Sequence, residues 1–213
     1  MLRSWPSAVL AIAFVLPALN AGVGAQTPDE SRSASLTTIF GLRLGEPLSI
    51  AECPRHRLSN GSFSELTYDP DPHQICYEPD IQLRDAPWRR GGFNFPIDRI
   101  PLIMQGHYGF TIIIDGRLEG VEIDTLDHTN TDAIIGELTQ KYGPPTSVER
   151  DREDIGGVPV PDVVATWRRR SVTVEYRSVD QSLDHGALRV MTPRYENLRV
   201  AHEREANAVR APL

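Results

Sequence analysis

The sequence predicts an α+β fold, namely a two-layer antiparallel sheet with a helix packed on one face. Three observations support this prediction: a strong helix pattern over residues 131–145, a hairpin turn at Asp115-Gly116, and alternating strand patterns after the helix. Strands joined by short turns favour antiparallel pairing, and one helix can cover one face of such a sheet. A disulfide-clamped irregular segment is expected in front of the hairpin.

The predicted helix carries one apolar stripe. Ile134, Leu138 and Tyr142 recur every four residues, so that they share one face of the helix. Residues 130–132 offer side-chain oxygens that suit the start of a helix, and an acidic group there suits the helix dipole. Gly143 can adopt the left-handed conformation that ends a helix. The stripe is therefore expected to pack on the core and to brace the sheet.

Strand patterns stand on both sides of the helix. Before it, the β-branched run at 110–114 and the alternating run at 121–124 flank the Asp115-Gly116 turn, which predicts a hairpin. Residues 151–161, which hold Gly156-Gly157 and two prolines, are expected to form a loop. Strands are expected near 146–150, 163–168, 172–177 and 188–190, with Arg168-Arg169-Arg170 straddling a hairpin turn.

The stretch before the hairpin is expected to be the least regular part of the domain. Phe40, Leu42 and Leu44 alternate with small or charged residues, which suits a short strand or an extended segment. Residues 46–53 could form a short helix with a proline in its first turn. Residues 54–107 are interpreted as an irregular insertion, because prolines and turn dipeptides interrupt them repeatedly.

Cys53 and Cys76 are the two cysteines of the chain. In an exported protein, two cysteines most simply pair with each other. The resulting disulfide would close a loop over residues 53–76 and stabilise the fold by about 3 kcal/mol on the chain-entropy model. A redox pair would be expected at closer spacing near a helix start, as in Cys-x-x-Cys. The pair is therefore interpreted as a clamp on the irregular segment.

The first residues have the three-part pattern of a secretory signal peptide. A positive start at Met1-Leu2-Arg3 precedes an apolar run, and Val23-Gly24-Ala25 supplies the small or slim residues that a signal peptidase reads. The apolar run is shorter than the ~20 residues of a membrane span. The mature chain is therefore expected in the periplasm or outside the cell, without membrane insertion. The predicted organisation is a signal peptide at 1–25, a flexible lead-in at 26–35, a single domain at 36–193 and a charged C-terminal helix or tail at 194–213.

The charge of the chain excludes one class of partner. Its formal net charge is −7, and removal of Arg3 with the signal peptide changes this value to −8. An acidic protein without a basic tract repels phosphate backbones. Nucleic acid is therefore not an expected partner.

The sequence lacks the usual signatures of catalysis. It has no Gly-x-Ser-x-Gly elbow, no phosphate-binding Gly-x-x-x-x-Gly-Lys loop and no His-Glu-x-x-His zinc helix. Its six histidines are scattered, and no two of them lie at metal-ligand spacing on one element. No catalytic residue, metal site or cofactor is therefore predicted, and a non-enzymatic role is favoured.

The strongest candidate for a binding site is a polar and aromatic cluster at Trp88, Arg89, Arg90, Phe93 and Phe95. Tryptophan and arginine are the residue types that anchor interfaces, because each combines a large contact area with a directed hydrogen-bond donor. The alternative interpretation is that Trp88 fills the edge of the core while the arginines extend to solvent. The first interpretation predicts a protein-binding surface in the region 85–108.

One motif resembles a known kind of domain. The helix end from Leu138 to Pro145 has the pattern Leu-x-x-Lys-Tyr-Gly-x-Pro, and a strand that carries Trp167 follows it. This combination resembles the helix-and-antiparallel-sheet domains of the small lipoprotein in the outer-membrane barrel assembly machinery, and it is similar to the repeats of the beta-lactamase inhibitor protein. Residues 41–48 resemble the opening glycine-turn-helix of such domains. The resemblance implies a binding or scaffolding role at the bacterial envelope.

Three functional hypotheses follow. The favoured one is an exported, soluble binding or accessory protein of the bacterial envelope, which contacts an unidentified envelope or secreted protein through residues 85–108. The second is an inhibitor of a secreted hydrolase that uses the loop between Cys53 and Cys76 as a rigid wedge. The third is a secreted hydrolase whose site assembles from scattered loop residues. An apolar surface around Trp88 would support the first, and a deep pocket with a histidine, an acid and a nucleophile would support the third.

Overall fold

The fold is described from a computed structural model. The structure describes residues 35–68, 73–81, 86–180 and 184–210. The predicted signal peptide at 1–25 and most of the predicted lead-in lie outside these residues. Within the described ranges, no helix is both long enough and apolar enough to span a membrane.

Two small hairpins precede the main sheet. In the first, β1 (Thr38–Ile39) pairs with β2 (Leu42–Arg43), and in the second, β3 (Arg55–Arg57) pairs with β4 (Phe63–Tyr68). The first hairpin confirms the extended segment predicted around residue 42. Its buried apolar side chains belong to the main core. This hairpin therefore packs on the sheet, although it is not one of its strands.

An eight-stranded antiparallel sheet forms the centre of the molecule. Its strands are β5 (Cys76–Ile81), β6 (Arg89–Asn94), β7 (Met104–Ile114), β8 (Arg117–Thr125), β9 (Ser147–Ile155), β10 (Val158–Arg168), β11 (Thr173–Arg177) and β12 (Gly186–Met191). Helix α1 (Thr131–Tyr142) follows β8, and helix α2 (Pro193–Arg210) follows β12. The spatial order is β5-β6-β7-β8-β12-β11-β10-β9. Each half of the sheet is thus four neighbouring strands followed by a helix, and β8 pairs with β12 at the centre.

Helix α1 packs on one face of the sheet, which we call the α1 face. Its predicted stripe is confirmed, because Ile134, Leu138 and Tyr142 are buried. Gly143 ends the helix with a positive φ of 75°, and its carbonyl oxygen accepts a hydrogen bond from Trp167 Nε1 at 2.9 Å. This face forms the main core, with sheet residues that include Val121, Ile123, Trp167, Val174, Leu188 and Val190.

The start of α1 differs in detail from the prediction. Asn130 makes no side-chain cap. Instead, the Asp127 carboxylate accepts a hydrogen bond from the Thr129 backbone N–H at 2.9 Å and caps a short 3-10 helix at His128–Asn130. Hydrogen bonds from the Thr129 hydroxyl and N–H hold the pKa of Asp127 below its usual value. The capping function thus lies one turn before the predicted position.

Helix α2 packs on the opposite face, which we call the α2 face. Successive residues of a strand point to opposite faces, so Glu122 and Arg189 lie on the α2 face between core residues of the α1 face. Tyr195 is buried there against Trp88 and Met191. Gly120 permits this packing, because a Cβ atom at this position would lie 2.6 Å from Tyr195 Cδ1. The predicted C-terminal helix is therefore present, and its first turns are packed rather than solvated.

Three local predictions are confirmed. Asp115 and Gly116 both have positive φ values, 49° and 75°, and they connect β7 to β8 as a two-residue turn of the type that suits strand twist. Cys53 and Cys76 form a disulfide. The predicted hairpin turn across Arg168-Arg169-Arg170 also lies between paired strands, since Arg168 pairs with Thr173.

Three stretches differ from the prediction. Residues 46–53 do not form a helix; they are extended, with the Cys53 N–H donating to the Tyr77 carbonyl oxygen at 2.7 Å. Residues 151–161 belong to β9 and β10, and the Gly156-Gly157 pair is the turn between these strands. Residues 54–107 are more regular than expected, because they include β3, β4, β5, β6 and the first residues of β7.

Candidate interaction site

The five residues predicted to bind a partner lie on or next to β6, and they divide between the two faces of the sheet. Phe93 and Phe95 belong to the core on the α1 face, with ring centroids 5.6 Å apart. Trp88 is buried on the α2 face, where its ring lies edge-to-face against Tyr195 at 5.3 Å. Arg89 is exposed, whereas Arg90 is half-buried on the α2 face. The structure therefore does not bring the five side chains together on one surface.

The division follows from the strand that the sequence did not reveal. Gly91 and Gly92 belong to the stretch 54–107 that the sequence analysis interprets as an irregular insertion, but both lie inside β6. A Cβ atom at Gly92 would collide with the Tyr108 ring, and one at Gly91 would lie 2.5 Å from the Tyr77 ring. Each glycine thus makes room for an aromatic ring of a neighbouring strand. Once this segment is a strand, its alternate side chains must point to opposite faces.

Two exposed apolar side chains lie in the β6–β7 loop (residues 95–103). Leu102 is 82% exposed and Ile97 is 56% exposed, which are the two highest values among the large apolar side chains of the described residues. Both lie in the region 85–108 that the sequence pointed to, but neither was named. Leu102 lies in the apolar run 100–104, which has no polar alternation, so pattern reasoning could not separate it from a core residue.

Buried residues at both ends hold the β6–β7 loop in place. The Phe95 ring packs edge-to-face on Phe40 at 5.3 Å, and its backbone N–H donates to the His107 carbonyl oxygen at 2.8 Å. At the other end, Ile103 is buried, and its carbonyl oxygen accepts a hydrogen bond from the Leu126 N–H at 3.2 Å. The loop is therefore anchored in the core on both sides.

Two turns brace the interior of the same loop. A short 3-10 helix covers Ile97–Arg99, and the Arg99 N–H donates to the Pro96 carbonyl oxygen at 2.9 Å. The Met104 N–H donates to the Pro101 carbonyl oxygen at the same distance. Proline fixes φ, which reduces the entropy that the loop loses on docking. The arrangement presents Ile97 and Leu102 from a preorganised backbone.

A second feature of the region is a ladder of alternating charges across the α2 face. Arg90 Nη2 lies 3.1 Å from Glu122 Oε2, and Arg189 Nη1 lies 3.1 Å from Glu175 Oε1. Arg199 of α2 continues the ladder, with Nη2 lying 3.3 Å from Glu175 Oε2. Burial lowers the pKa of Arg189, but the carboxylates of Glu122 and Glu175 outweigh this effect and raise it. The arginine therefore stays charged.

The ladder borders a groove of about 360 Å³ between α2 and the sheet. Trp88, Ile112, Tyr195 and His202 provide its less polar wall. The Tyr195 hydroxyl donates to Glu122 Oε1 at 2.9 Å, and burial together with this carboxylate raises the pKa of Tyr195. Among the described residues, the lining includes no serine, threonine or cysteine, so it offers no aliphatic hydroxyl or thiol next to His202.

Metal coordination receives no support from the part of the chain that the structure describes. Within residues 35–68, 73–81, 86–180 and 184–210, no three His, Cys, Asp or Glu side chains come together in a way that could hold a metal ion. The carboxylates of the charge ladder instead face arginines. The β6–β7 loop thus exposes apolar side chains, whereas charged groups of both signs line the groove.

No protein-family model, curated protein or solved structure matches this chain. The resemblance to the small lipoprotein of the barrel assembly machinery and to the repeats of the beta-lactamase inhibitor protein therefore stays a prediction.

Proposed function

We propose that this chain is an exported binding or accessory protein of the bacterial envelope, which contacts another protein through its β6–β7 loop. The observation that carries the proposal is the 82% exposure of Leu102 on a loop anchored at both ends in the core. An exposed leucine alone is common on protein surfaces. A second exposed apolar residue, Ile97, on the same braced loop favours an interaction site.

The energetics agree with a contact of this kind. Complete burial of one Leu or Ile side chain contributes about 1.5–3 kcal/mol. Ile97 and Leu102 can therefore supply the apolar centre of an interface, while Asp98 and Arg99 between them are exposed and suit its polar rim. Because two turns fix the backbone, little conformational entropy is lost when a partner binds.

An extracytoplasmic location fits the same proposal. The Cys53–Cys76 disulfide fits a protein that folds in an oxidising compartment. The predicted signal peptide supports export to the periplasm or to the medium. The partner is therefore expected among envelope or secreted proteins.

The proposal is tested by site-specific photo-crosslinking in the native cells. A photoreactive phenylalanine derivative replaces Leu102, and in the matched control it replaces Leu58, another exposed leucine that lies outside the β6–β7 loop. We expect one discrete crosslinked protein from position 102, none from position 58, and loss of the product when Ile97→Asp is added. The absence of a discrete product at position 102, or the same products from both positions, would overturn the proposal.

A further inference from the structure

We propose that the groove between α2 and the sheet binds a small zwitterion with an apolar side chain, in the chemical class of the hydrophobic α-amino acids. This inference does not rest on the β6–β7 loop. Arg90 lies at the start of β6, whereas the loop follows the end of that strand at Asn94. The two sites can therefore be tested separately.

The charges that line the groove are balanced. Arg90, Arg189 and Arg199 supply three positive charges, and Glu122, Asp180 and Glu203 supply three negative charges. A simple anion would meet carboxylates, and a simple cation would meet guanidinium groups, so that neither matches the whole lining. A ligand with one charge of each sign matches both sets when it is oriented along the groove.

Two arginine atoms can receive the carboxylate of such a ligand. The Nε atoms of Arg90 and Arg199 are buried, and neither has a hydrogen-bond partner among the described residues. The terminal nitrogens of both guanidinium groups are already engaged, Arg90 with Glu122 and Arg199 with Glu175 and Glu203. Buried donors are rarely left unpaired. Because both Nε atoms are buried, the two side chains must turn toward the groove before a ligand carboxylate can accept hydrogen bonds from them.

Asp180 is the corresponding site for an ammonium group. Its backbone N–H donates to the His185 carbonyl oxygen at 3.1 Å, which fixes the position of the residue. Its carboxylate lines the groove, and no hydrogen bond to that carboxylate is found within the described ranges. This carboxylate interacts electrostatically with Arg189 but keeps its hydrogen-bond acceptors for an ammonium group, which carries three donors and no acceptor.

The aromatic wall defines the third part of the ligand. Trp88 meets Tyr195 and His202 edge-to-face, with both centroid distances at 5.3 Å. Ile112 lies on the same wall. The volume of about 360 Å³ is at the lower end of the range for small-molecule sites, which suits a ligand of amino-acid size. An apolar side chain packed on Trp88 would complete the contact.

Calorimetric titration with L-phenylalanine tests the inference. We expect a dissociation constant below about 1 mM for the folded wild-type protein. N-acetyl-L-phenylalanine lacks the ammonium group, and L-phenylalanine amide lacks the carboxylate. Each should bind about tenfold more weakly, and the doubly blocked analogue should not bind. Absence of binding by L-phenylalanine, or equal binding by the doubly blocked analogue, would overturn the inference.

Two variants test which residues contact the ammonium group and the carboxylate of the ligand. Asp180→Asn should remove the preference for a free ammonium group, and Arg199→Gln should remove the preference for a free carboxylate. Arg150→Gln, an exposed arginine on β9, is the matched control and should bind like the wild type. Thermal unfolding midpoints verify that each variant is folded. If both groove variants keep both preferences, the ligand does not occupy this groove.

Discussion

Two tyrosines that are buried on opposite faces of the sheet differ in what their hydroxyl groups contact. The Tyr142 hydroxyl has no hydrogen-bond partner among the described residues, whereas the Tyr195 hydroxyl donates to Glu122 at 2.9 Å. Removing an unpaired buried hydroxyl group relieves a desolvation penalty. Removing a hydroxyl group that donates to a carboxylate loses a stabilising hydrogen bond. The same Tyr→Phe change should therefore have opposite effects at the two positions.

The predicted changes are measurable by urea denaturation. Tyr142→Phe should raise the free energy of unfolding by about 1 kcal/mol, and Tyr195→Phe should lower it by about 2 kcal/mol. Each variant serves as the control for the other, because the chemical change is identical. A decrease at both positions would contradict the contacts described for Tyr142.

The buried tyrosines also predict how stability depends on pH. Burial raises the pKa of Tyr142, and burial together with Glu122 raises the pKa of Tyr195. Below the unfolded-state pKa of about 10, folded and unfolded chains hold the same phenolic protons, so these groups leave stability unchanged. Above it, the unfolded chain loses the protons first, and the free energy of unfolding falls as pH rises.

Unfolding free energies measured from pH 8 to pH 11, together with tyrosinate absorbance, test this prediction. We expect a plateau up to about pH 9.5 and a decline above it. The slope of the decline should be smaller in Tyr195→Phe. A phenolic titration of Tyr142 and Tyr195 near pH 10 in the folded protein would contradict the burial assigned to them.

At the scale of single elements, two glycines allow a matched test of packing. In α1, a Cβ atom at Gly136 would meet no atom within 4 Å, so Gly136→Ala should raise the free energy of unfolding by about 1 kcal/mol through helix propensity. In β12, a Cβ atom at Gly186 would collide with the Arg177 carbonyl oxygen and lie 2.7 Å from Thr125 Oγ1. Gly186→Ala should lower the free energy of unfolding by about 2 kcal/mol.

The elements that the sequence predicted correctly carry strong local signals. Helix α1 has its stripe at Ile134, Leu138 and Tyr142, and the β7–β8 hairpin has its Asp115-Gly116 turn. Such signals depend only on residues that are close in the sequence, so they can be recognised without knowing which strands pair. The apolar stripe of α1, its end at Gly143 and the two residues of the turn were therefore predictable before any tertiary contact was known.

The first part of strand β10 was missed because its prolines suggested a loop, whereas residues 163–168 were predicted as a strand. Both the N–H and the carbonyl oxygen of Val163 bond to Ser178, on the side away from β9. Pro159 and Pro161 have the same strand parity, so their ring nitrogens also point away from β9 and remove no bond from that pairing. The prolines thus remove backbone donors only from the side of β10 that does not pair with β9. The sequence could not show this, because it depends on the tertiary arrangement.

Strand β9 was only partly predicted, because it lacks apolar alternation. It is the edge of the sheet, and the Arg152 N–H donates to its neighbour Asp151 at 2.8 Å instead of to another strand. If two copies paired antiparallel about Asp151, Arg150 would face Arg152 and Glu149 would face Glu153. Like charges directly opposite are destabilising. The charged residues of β9 therefore explain why its sequence does not resemble a strand, and they also oppose self-association through this edge.

At the scale of the whole molecule, two helices cover opposite faces of one sheet. The hydrophobic pattern predicted α1 and its face, but the packing of α2 through Tyr195 depends on Gly120 and Trp88, which are distant in the sequence. The same limit applies to the candidate sites. The region 85–108 was accessible from its composition, whereas the exposure of Leu102 follows from where the loop leaves the sheet.

The two candidate sites lie near opposite ends of β6. The β6–β7 loop extends from one end of β6 and carries the exposed apolar side chains of the proposed protein-binding surface. The groove lies near the other end of β6, where α2 covers the sheet and encloses charges of both signs. The proposed protein partner and the proposed small ligand would therefore not compete for the same residues.

The most direct test of the protein-binding role is the dissociation constant of the partner identified by crosslinking. Loss of one buried leucine side chain corresponds to about 2 kcal/mol, so Leu102→Asp should weaken binding about 30-fold. Leu58→Asp, the matched substitution of an exposed leucine elsewhere, should leave the dissociation constant within about twofold of wild type. Equal dissociation constants for the wild type and Leu102→Asp would contradict the assignment of the β6–β7 loop as the interface.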